Sequence, residues 1–315
     1  MATPKILCIV GPTACGKTTL GILLAKQLHG EVVSVDSMQI YRGMTIGTAA
    51  PTAAEMDGVP HHMVAIADPE ENWSVARFVE EADRCIQDIL RRGKLPILVG
   101  GTGLYLDAII AGRTFAPGVS GGKIRTTLEC RLATEGIEPL HAELCAVDPE
   151  SAERLPLADE KRILRALEVY LETGKTMTQH NQESQQIPKK YDATYIGLAF
   201  ADRADMRALI DRRVDLMVEN GLLDEIRALL ARGLDRSCTA LQAIGYKEFL
   251  AALDGEASMA EAIEEVKLRS RQYAKRQLTW LRRNTNIFWI HWEKERDFSA
   301  AIRLSTDFLA SQGIQ

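Results

Sequence analysis

Residues 11–18 read Gly11-Pro12-Thr13-Ala14-Cys15-Gly16-Lys17-Thr18, and this octet constrains the fold more than any other feature of the chain. It matches G-x-x-x-x-G-K-[ST] and stands between an apolar run, Lys5–Val10, and a segment with helical apolar spacing, Thr18–Leu28. Glycines let the backbone curl so that several N–H groups point inward at phosphate oxygens. A helix starting near Lys17 adds the positive end of its dipole. Lys17 places a full charge on the terminal phosphate, and the Thr18 hydroxyl can ligate Mg²⁺. The loop therefore reports a diphosphate or triphosphate. It does not report the chemistry that follows, since kinases, ATPases and transferases with a diphosphate leaving group are all served by it.

The segments around the loop predict a parallel sheet flanked by helices. Glu31–Val35 and Leu95–Val99 read as buried strands. Between them Ser74–Arg92 is amphipathic, with Val75, Phe78, Val79, Ala82, Ile86, Ile89 and Leu90 on one side. Strand alternating with helix is the signature of an α/β fold. A Gly/Pro-rich stretch over 113–122 predicts a linker or mobile loop, and from Lys123 to about Gln182 only helical signals occur. Tyr195–Phe200 returns to strand character. Asp205–Arg232 is helical with one break signal at Asn220-Gly221, a basic helix spans about Ala260–Arg283, and Asn286–Trp292 reads as a last strand. The expected organisation is a P-loop NTPase-like core in two parts, 1–114 and 191–315, interrupted by an all-helical insertion over 115–190.

Composition narrows the classes. At 46% hydrophobic and 26% charged residues the chain is ordinary for a globular protein. No run of about eighteen apolar residues suggests a membrane span. Met1–Lys5 lead straight into an apolar strand without a charged leader, which reads as an unprocessed cytoplasmic chain. The six cysteines form no C-x-x-C pair, so zinc or a disulfide framework is not expected. Net charge is −5, yet residues 267–283 hold seven Lys and Arg and no acid. A basic segment on an acidic body suggests a local anionic partner, with a solvated helix face as the alternative.

Two further positions carry chemistry. Asp36 follows the second strand, at the sheet edge that faces the ligand crevice. It suits a base that accepts a proton from an incoming nucleophile or a group behind Mg²⁺, with a helix cap as the less favoured alternative. Thr102, in Gly100-Gly101-Thr102-Gly103, suits a hydroxyl donor to a phosphate or a reacting group, or the cap of the next helix.

The ordered series GPTACGKT, DSMQIYRGMTIGTAAP, PHHM, VGGTGLYLDAIIAG, KRILRALEVY, IGYKEF and RQYAKRQLTWLRR resembles the tRNA dimethylallyltransferase family from about residue 6 to residue 292. The resemblance implies a phosphate loop at Gly11–Thr18 that binds the diphosphate of dimethylallyl diphosphate with Mg²⁺. A flipped adenosine beside the anticodon is the acceptor, with Asp36 as general base, Thr102 near the reacting amine and Arg213 on the diphosphate. It implies tRNA contacts at Asp36, Ser37, Met38, Gln39, Thr102, Arg125, Lys161, Arg162, Ile163, Leu164, Arg165, Gln242, Gly245, Tyr246, Lys247, Lys275, Arg276 and Arg282. The insertion becomes a lid or clamp on the anticodon arm, and a cytoplasmic monomer is expected. Departures from the family pattern are Cys15 in place of serine, Thr45 in place of an acid, Ala50 in place of lysine, Pro156–Asp159 in place of His-Pro-Asn-Asp, and a Gly-rich 116–122.

The residues alone agree with that chemistry. An exocyclic amine becomes nucleophilic as its proton is removed, and a base inside a stacked loop must be extruded before it can react. Tyr273 and Trp280 interleave with Lys and Arg on the basic helix, as stacking on RNA requires or as core packing alone explains. Competing readings are an isopentenyltransferase acting on free adenine nucleotides, a small-molecule kinase that binds ATP in the same loop, and a non-catalytic RNA-binding protein.

Overall fold

The computed structural model describes residues 3–113, 115 and 122–314; the linker expected over 113–122 lies mostly outside them. The described residues form two compact units, one running to Ile110 and resuming at Lys190, the other spanning Ala111–Lys189.

The first unit is built on six strands: β1 (Lys5–Val10), β2 (Glu31–Val35), β3 (His61–His62), β4 (Pro96–Gly100), β5 (Asp192–Phe200) and β6 (Ile287–Trp292). They lie in the order β3-β2-β4-β1-β5-β6, and every pairing is parallel. The central strands are buried on both faces, hence their continuous apolar sequences. Their alternation divides the core in two. Ile6, Cys8, Val10, Val33, Val35 and Leu98 point to one layer, and Leu7, Ile9, Val32, Ile97 and Val99 to the other.

The helices of this unit are α1 (Lys17–Gln27), α2 (Ala53–Met56), α3 (Val75–Arg91) and α4 (Gly103–Ala111) before the second unit. The second unit is all-helical: α5 (Lys123–Glu135), α6 (Ile137–Val147), α7 (Pro149–Arg154), α8 (Glu160–Thr173) and α9 (Met177–Gln186). Then come α10 (Arg203–Glu219), α11 (Leu222–Ala231), α12 (Lys247–Leu253), α13 (Met259–Leu281) and α14 (Phe298–Ser311). Helices α3 and α4 cover the first core layer through Phe78, Ala82, Ile86, Leu106 and Ile109, as do α11–α13 through Ile226, Phe249 and Val266. Helices α1 and α14 cover the second through Leu20, Leu24, Ala301 and Leu309. The segment expected as one long helix with a break is α10 and α11, separated at Gly221, whose φ of 95° a residue with a side chain rarely adopts. No helix among the described residues is long and apolar enough to cross a membrane.

The chain leaves the first unit at Ile110 and returns beside it, where the Lys190 N–H donates to the Ile110 carbonyl at 3.0 Å. Within the helical unit, Leu128, Leu140, Leu144, Ile163, Leu164 and Leu167 make a separate core. Asp148 caps α7 by accepting the Ser151 N–H (3.2 Å) and ties it to α9 by accepting the Thr178 N–H (3.1 Å) and hydroxyl (2.6 Å).

At the start of β2 the Glu31 carboxylate, only 2% exposed, is held by Arg92, by Lys94 at 2.7 Å and by His62 at 2.8 Å. The hydrogen bond from Arg92 is the main cause that holds its carboxyl far below the usual glutamate range. Glu31→Gln should cost about 2 kcal/mol at neutral pH, below the range for fully buried pairs because the cations are partly solvated. A carboxyl with a depressed folded pKa stabilises only above its unfolded value. The wild-type advantage should therefore be full at pH 7 and shrink as pH falls below about 4, as urea melts across that window will measure.

Candidate phosphate and acceptor site

Strand register assembles the site. Val10 pairs with Gly100, and Gly100 pairs with Val35, so three strand ends stand in one row about 5 Å apart. The phosphate loop leaves the first, the Gly101-Thr102 turn the second and Asp36 the third. No side chain fits at Gly100, where an added methyl would strike the Val35 carbonyl.

In the loop, Ala14 and Gly16 adopt positive φ of 64° and 88°, which turns successive N–H groups toward one centre. Gly16 precedes α1 directly, so the helix N-terminus opens onto the loop. The Lys17 ammonium donates to the Pro12 carbonyl at 2.6 Å and lines a polar cavity with Thr13, Thr18, Asp36, Arg213, Tyr273 and Gln277. Burial pulls Lys17 below the usual lysine range, with Arg213 reinforcing the shift and Cys15 and Asp36 opposing it. Burial lowers Arg213 as well, against the attraction of Asp36. Two enclosed cations facing one carboxylate make a site with surplus positive charge, suited to a phosphate group.

No helix begins at Asp36, so it is not the helix cap that its position also allowed; its carboxylate closes a local turn and keeps one oxygen free of it. Its Oδ1 accepts the N–H groups of Met38 (2.9 Å) and Gln39 (3.4 Å), an Asx turn that fixes the carboxylate. Oδ2 has no hydrogen-bond partner among the described residues, and Asp36 lines both the polar cavity and an adjoining apolar one. Met38, Ile210, Val214, Met217, Ile244 and Val266 wall the apolar cavity, which shares Thr13, Asp36, Thr48, Arg213 and Tyr273 with its polar neighbour. Asp36 and Arg213 therefore stand where a phosphate-binding space meets an apolar one.

Thr102 does not cap α4 through its side chain. Its Oγ1 is buried beside the Tyr273 phenol, which burial and the charge of Asp36 push up against the opposing influence of the Thr102 hydroxyl. Residues 45–49 close the cavity rim, held by Glu225. Its carboxylate accepts the N–H groups of Thr45 (2.8 Å), Ile46 (2.8 Å) and Gly47 (3.0 Å) and the Tyr246 hydroxyl (2.6 Å). Gln39 ties the rim to the Asp36 turn by donating to the Thr48 and Ala49 carbonyls. Gln277, Thr48 and Glu225 are thus lining or supporting residues that the sequence did not single out, while Tyr273, expected as a stacking or core residue of the basic helix, lines the cavity. The i, i+4 spacing from Tyr273 was the available signal for Gln277.

The remaining expected contacts separate by exposure. Lys161, Arg162, Gln242, Lys247, Lys275, Arg276 and Arg282 are exposed, and Ser37, Met38 and Gln242 line the apolar cavity. Arg125 and Arg165 are paired with Glu129 (2.7 Å) and Glu168 (2.9 Å). Four expected contacts need correction. Ile163 and Leu164, 0% and 1% exposed, belong to the core of the helical unit. Tyr246, 0% exposed, is an internal anchor for Glu225, and Gly245 is buried next to it. The Tyr246 side chain presents nothing to a partner. The basic helix also divides. Lys267 pairs with Asp215 (2.9 Å), Arg269 with Glu265 (2.6 Å) and Arg271 with Asp211 (2.5 Å). Its C-terminal end keeps Lys275, Arg276 and Arg283 in a groove around Trp280, whose indole N–H donates to Asp107 at 2.9 Å. Arg283 lies over the Trp280 ring, 5.1 Å from its centre.

A phosphate loop on a central parallel strand, with a carboxylate and an arginine across the same cavity, defines a P-loop α/β protein that handles a phosphorylated ligand. Comparison with known proteins narrows this. The IPP transferase family profile matches residues 39–284 and that of isopentenyl transferase residues 4–65. The tRNA dimethylallyltransferase of Halalkalibacterium halodurans is 46% identical over 308 residues, 98% of this chain and 97% of its own; that of Geobacillus thermodenitrificans is 47% identical, with 98% of each chain covered. Among solved structures, the tRNA isopentenylpyrophosphate transferase of Bacillus halodurans is 44% identical with a TM-score of 0.73, covering 98% of this chain and 96% of its own. A eukaryotic dimethylallyltransferase acting on tRNA is 32% identical with a TM-score of 0.82, over 98% of this chain and 80% of its own. The chain belongs to the tRNA dimethylallyltransferase family.

Removing the Glu225 carboxylate strands three backbone donors and a phenol. Glu225→Ala should cost about 2–3 kcal/mol. Amide exchange at Thr45–Gly47 should rise at least about tenfold beyond the change in β1, as hydrogen-exchange mass spectrometry with a urea melt will measure.

Proposed function

We propose that the chain transfers the dimethylallyl group of dimethylallyl diphosphate to N6 of the adenosine 3′-adjacent to the anticodon in tRNA, releasing diphosphate. The observation that carries the reading is the junction of the two cavities. The polar one offers Lys17, Thr18, Arg213 and inward N–H groups to a diphosphate. The apolar one begins where the allylic carbon would emerge, and Asp36 stands between them.

The steps follow from these positions. The loop N–H groups, Lys17 and Arg213 bind the diphosphate and stabilise the charge that grows on it as the C–O bond breaks. The apolar wall surrounds the hydrocarbon and keeps water from the electrophilic carbon. The extruded adenine brings its amine to Asp36, which accepts the N6 proton as the N–C bond forms. Tyr273 and Thr102 flank this point and orient the amine. Thr18 fits a magnesium ion, because its hydroxyl has no hydrogen-bond partner among the described residues and lines the cavity. No cluster of three metal-ligating side chains occurs among the described residues, so oxygen ligands from the substrate would complete the set. When bound, magnesium would neutralise charge on the leaving group. The exposed cations Lys161, Arg162, Lys247, Lys275, Arg276 and Arg282 supply phosphate contacts that position the RNA.

Labelled dimethylallyl diphosphate, offered with unmodified tRNA, AMP and ATP in parallel, tests the reading: label should enter the tRNA alone. Label in AMP or ATP would replace it with transfer to free nucleotides, and a phosphorylated product with a kinase. Asp36→Asn should lower kcat about 10²–10⁴-fold while pyrophosphate binding, followed by calorimetry, stays within about threefold. Lys17→Met should reverse that pattern, with its main loss in pyrophosphate affinity.

A further inference from the structure

Helix α13 does more than carry charge. Tyr273, Gln277 and Trp280 recur at i, i+4 and i+7 on the face it turns toward the ends of β1 and β4. Gln277 is the polar member of that face and is only 7% exposed. Its Oε1 accepts the Thr13 N–H at 2.9 Å. Its Nε2 sits where a side chain on Gly101 would lie, and the same space is bounded by the Gly11 carbonyl. The carboxamide is therefore a wedge between the first half of the phosphate loop and the turn after β4, and it forms part of the polar cavity wall with Lys17 and Thr18.

A phosphate loop works through its free, inward N–H groups. Here Pro12 has none, and that of Thr13 is already taken by Gln277. Donors for phosphate begin at Ala14. A third phosphoryl group would extend past Lys17 toward the first half of the loop, the space that the carboxamide fills. We propose that Gln277 is a specificity-determining residue that restricts this loop to diphosphates and disfavours triphosphates, nucleoside triphosphates included. The proposal deepens the prenyl-transfer reading and rests on it for the identity of the diphosphate.

The test is calorimetric binding of inorganic pyrophosphate and of tripolyphosphate, each with magnesium, to the full chain and its variants. The wild type should prefer pyrophosphate by about tenfold or more. Gln277→Ala frees the Thr13 N–H and the space, so the preference should collapse toward unity. Gln277→Glu still accepts that N–H and adds a negative charge, so it should reject tripolyphosphate at least as strongly as the wild type. Should the alanine variant fail to fold, as read by circular dichroism, Gln277→Met keeps the volume without the acceptor and should weaken the preference. Equal binding of the two anions by the wild type, or an unchanged ratio in the folded variant that lacks the acceptor, would overturn the proposal. Transfer of label to tRNA by the wild type is read separately. Its failure would remove the prenyl-transfer reading and leave the anion ratio standing.

Discussion

The parallel pairing of β2, β4 and β1 is the constraint on which the site depends. Hydrogen bonds between neighbouring strands set Val35, Gly100 and Val10 level. A shift of one residue in either pairing would turn the strand's side chains to the opposite face. It would also separate Asp36 from the phosphate loop. Because all these strands are buried on both sides, the register is fixed by two core layers at once. The site residues are thus positioned by the most buried strands of the fold, and the loops only complete the cavity.

Around that frame the protein spends charge in two ways. Glu31, Glu225 and Asp148 are carboxylates used internally, each answered by several donors that fix a strand start, a loop or a helix junction. Lys17 and Arg213 are cations enclosed without a carboxylate in ion-pair distance among the described residues, and the pull of burial on both shows the cost of that arrangement. The same division runs along α13. Its middle turns bind back to α10 through Asp211 and Asp215, while Lys275, Arg276 and Arg283 remain around Trp280. A polybasic run is then part structural and part available to an anionic partner.

Much of this was legible beforehand. The loop motif with its flanks, the two buried strands after it and the break at Gly221 are local signals, and each lies where the periodicity put it. What escaped was set by tertiary pairing. The two-residue strand β3 has no periodicity of its own and exists because Val32 and Val33 offer it an edge. Helix α14 carries few charges to define a solvent face and is ordered by packing on α1. Ile163, Leu164 and Tyr246 lie beside exposed Lys161, Arg162 and Lys247, and a linear motif does not say which neighbour turns inward. Gln277 and Glu225 act on partners more than 170 residues away in sequence, with distances of 264 and 180 positions, beyond the reach of any local pattern.

The central claim is that the cavity between loop and Asp36 holds the prenyl diphosphate. A crystal structure with magnesium and dimethylallyl thiodiphosphate, whose leaving group departs slowly, tests it most directly. The account predicts the diphosphate on the Ala14–Thr18 amides with Lys17 and Arg213, and the first prenyl carbon beside Asp36. A diphosphate bound instead in the groove around Trp280, with the loop unchanged, would contradict it.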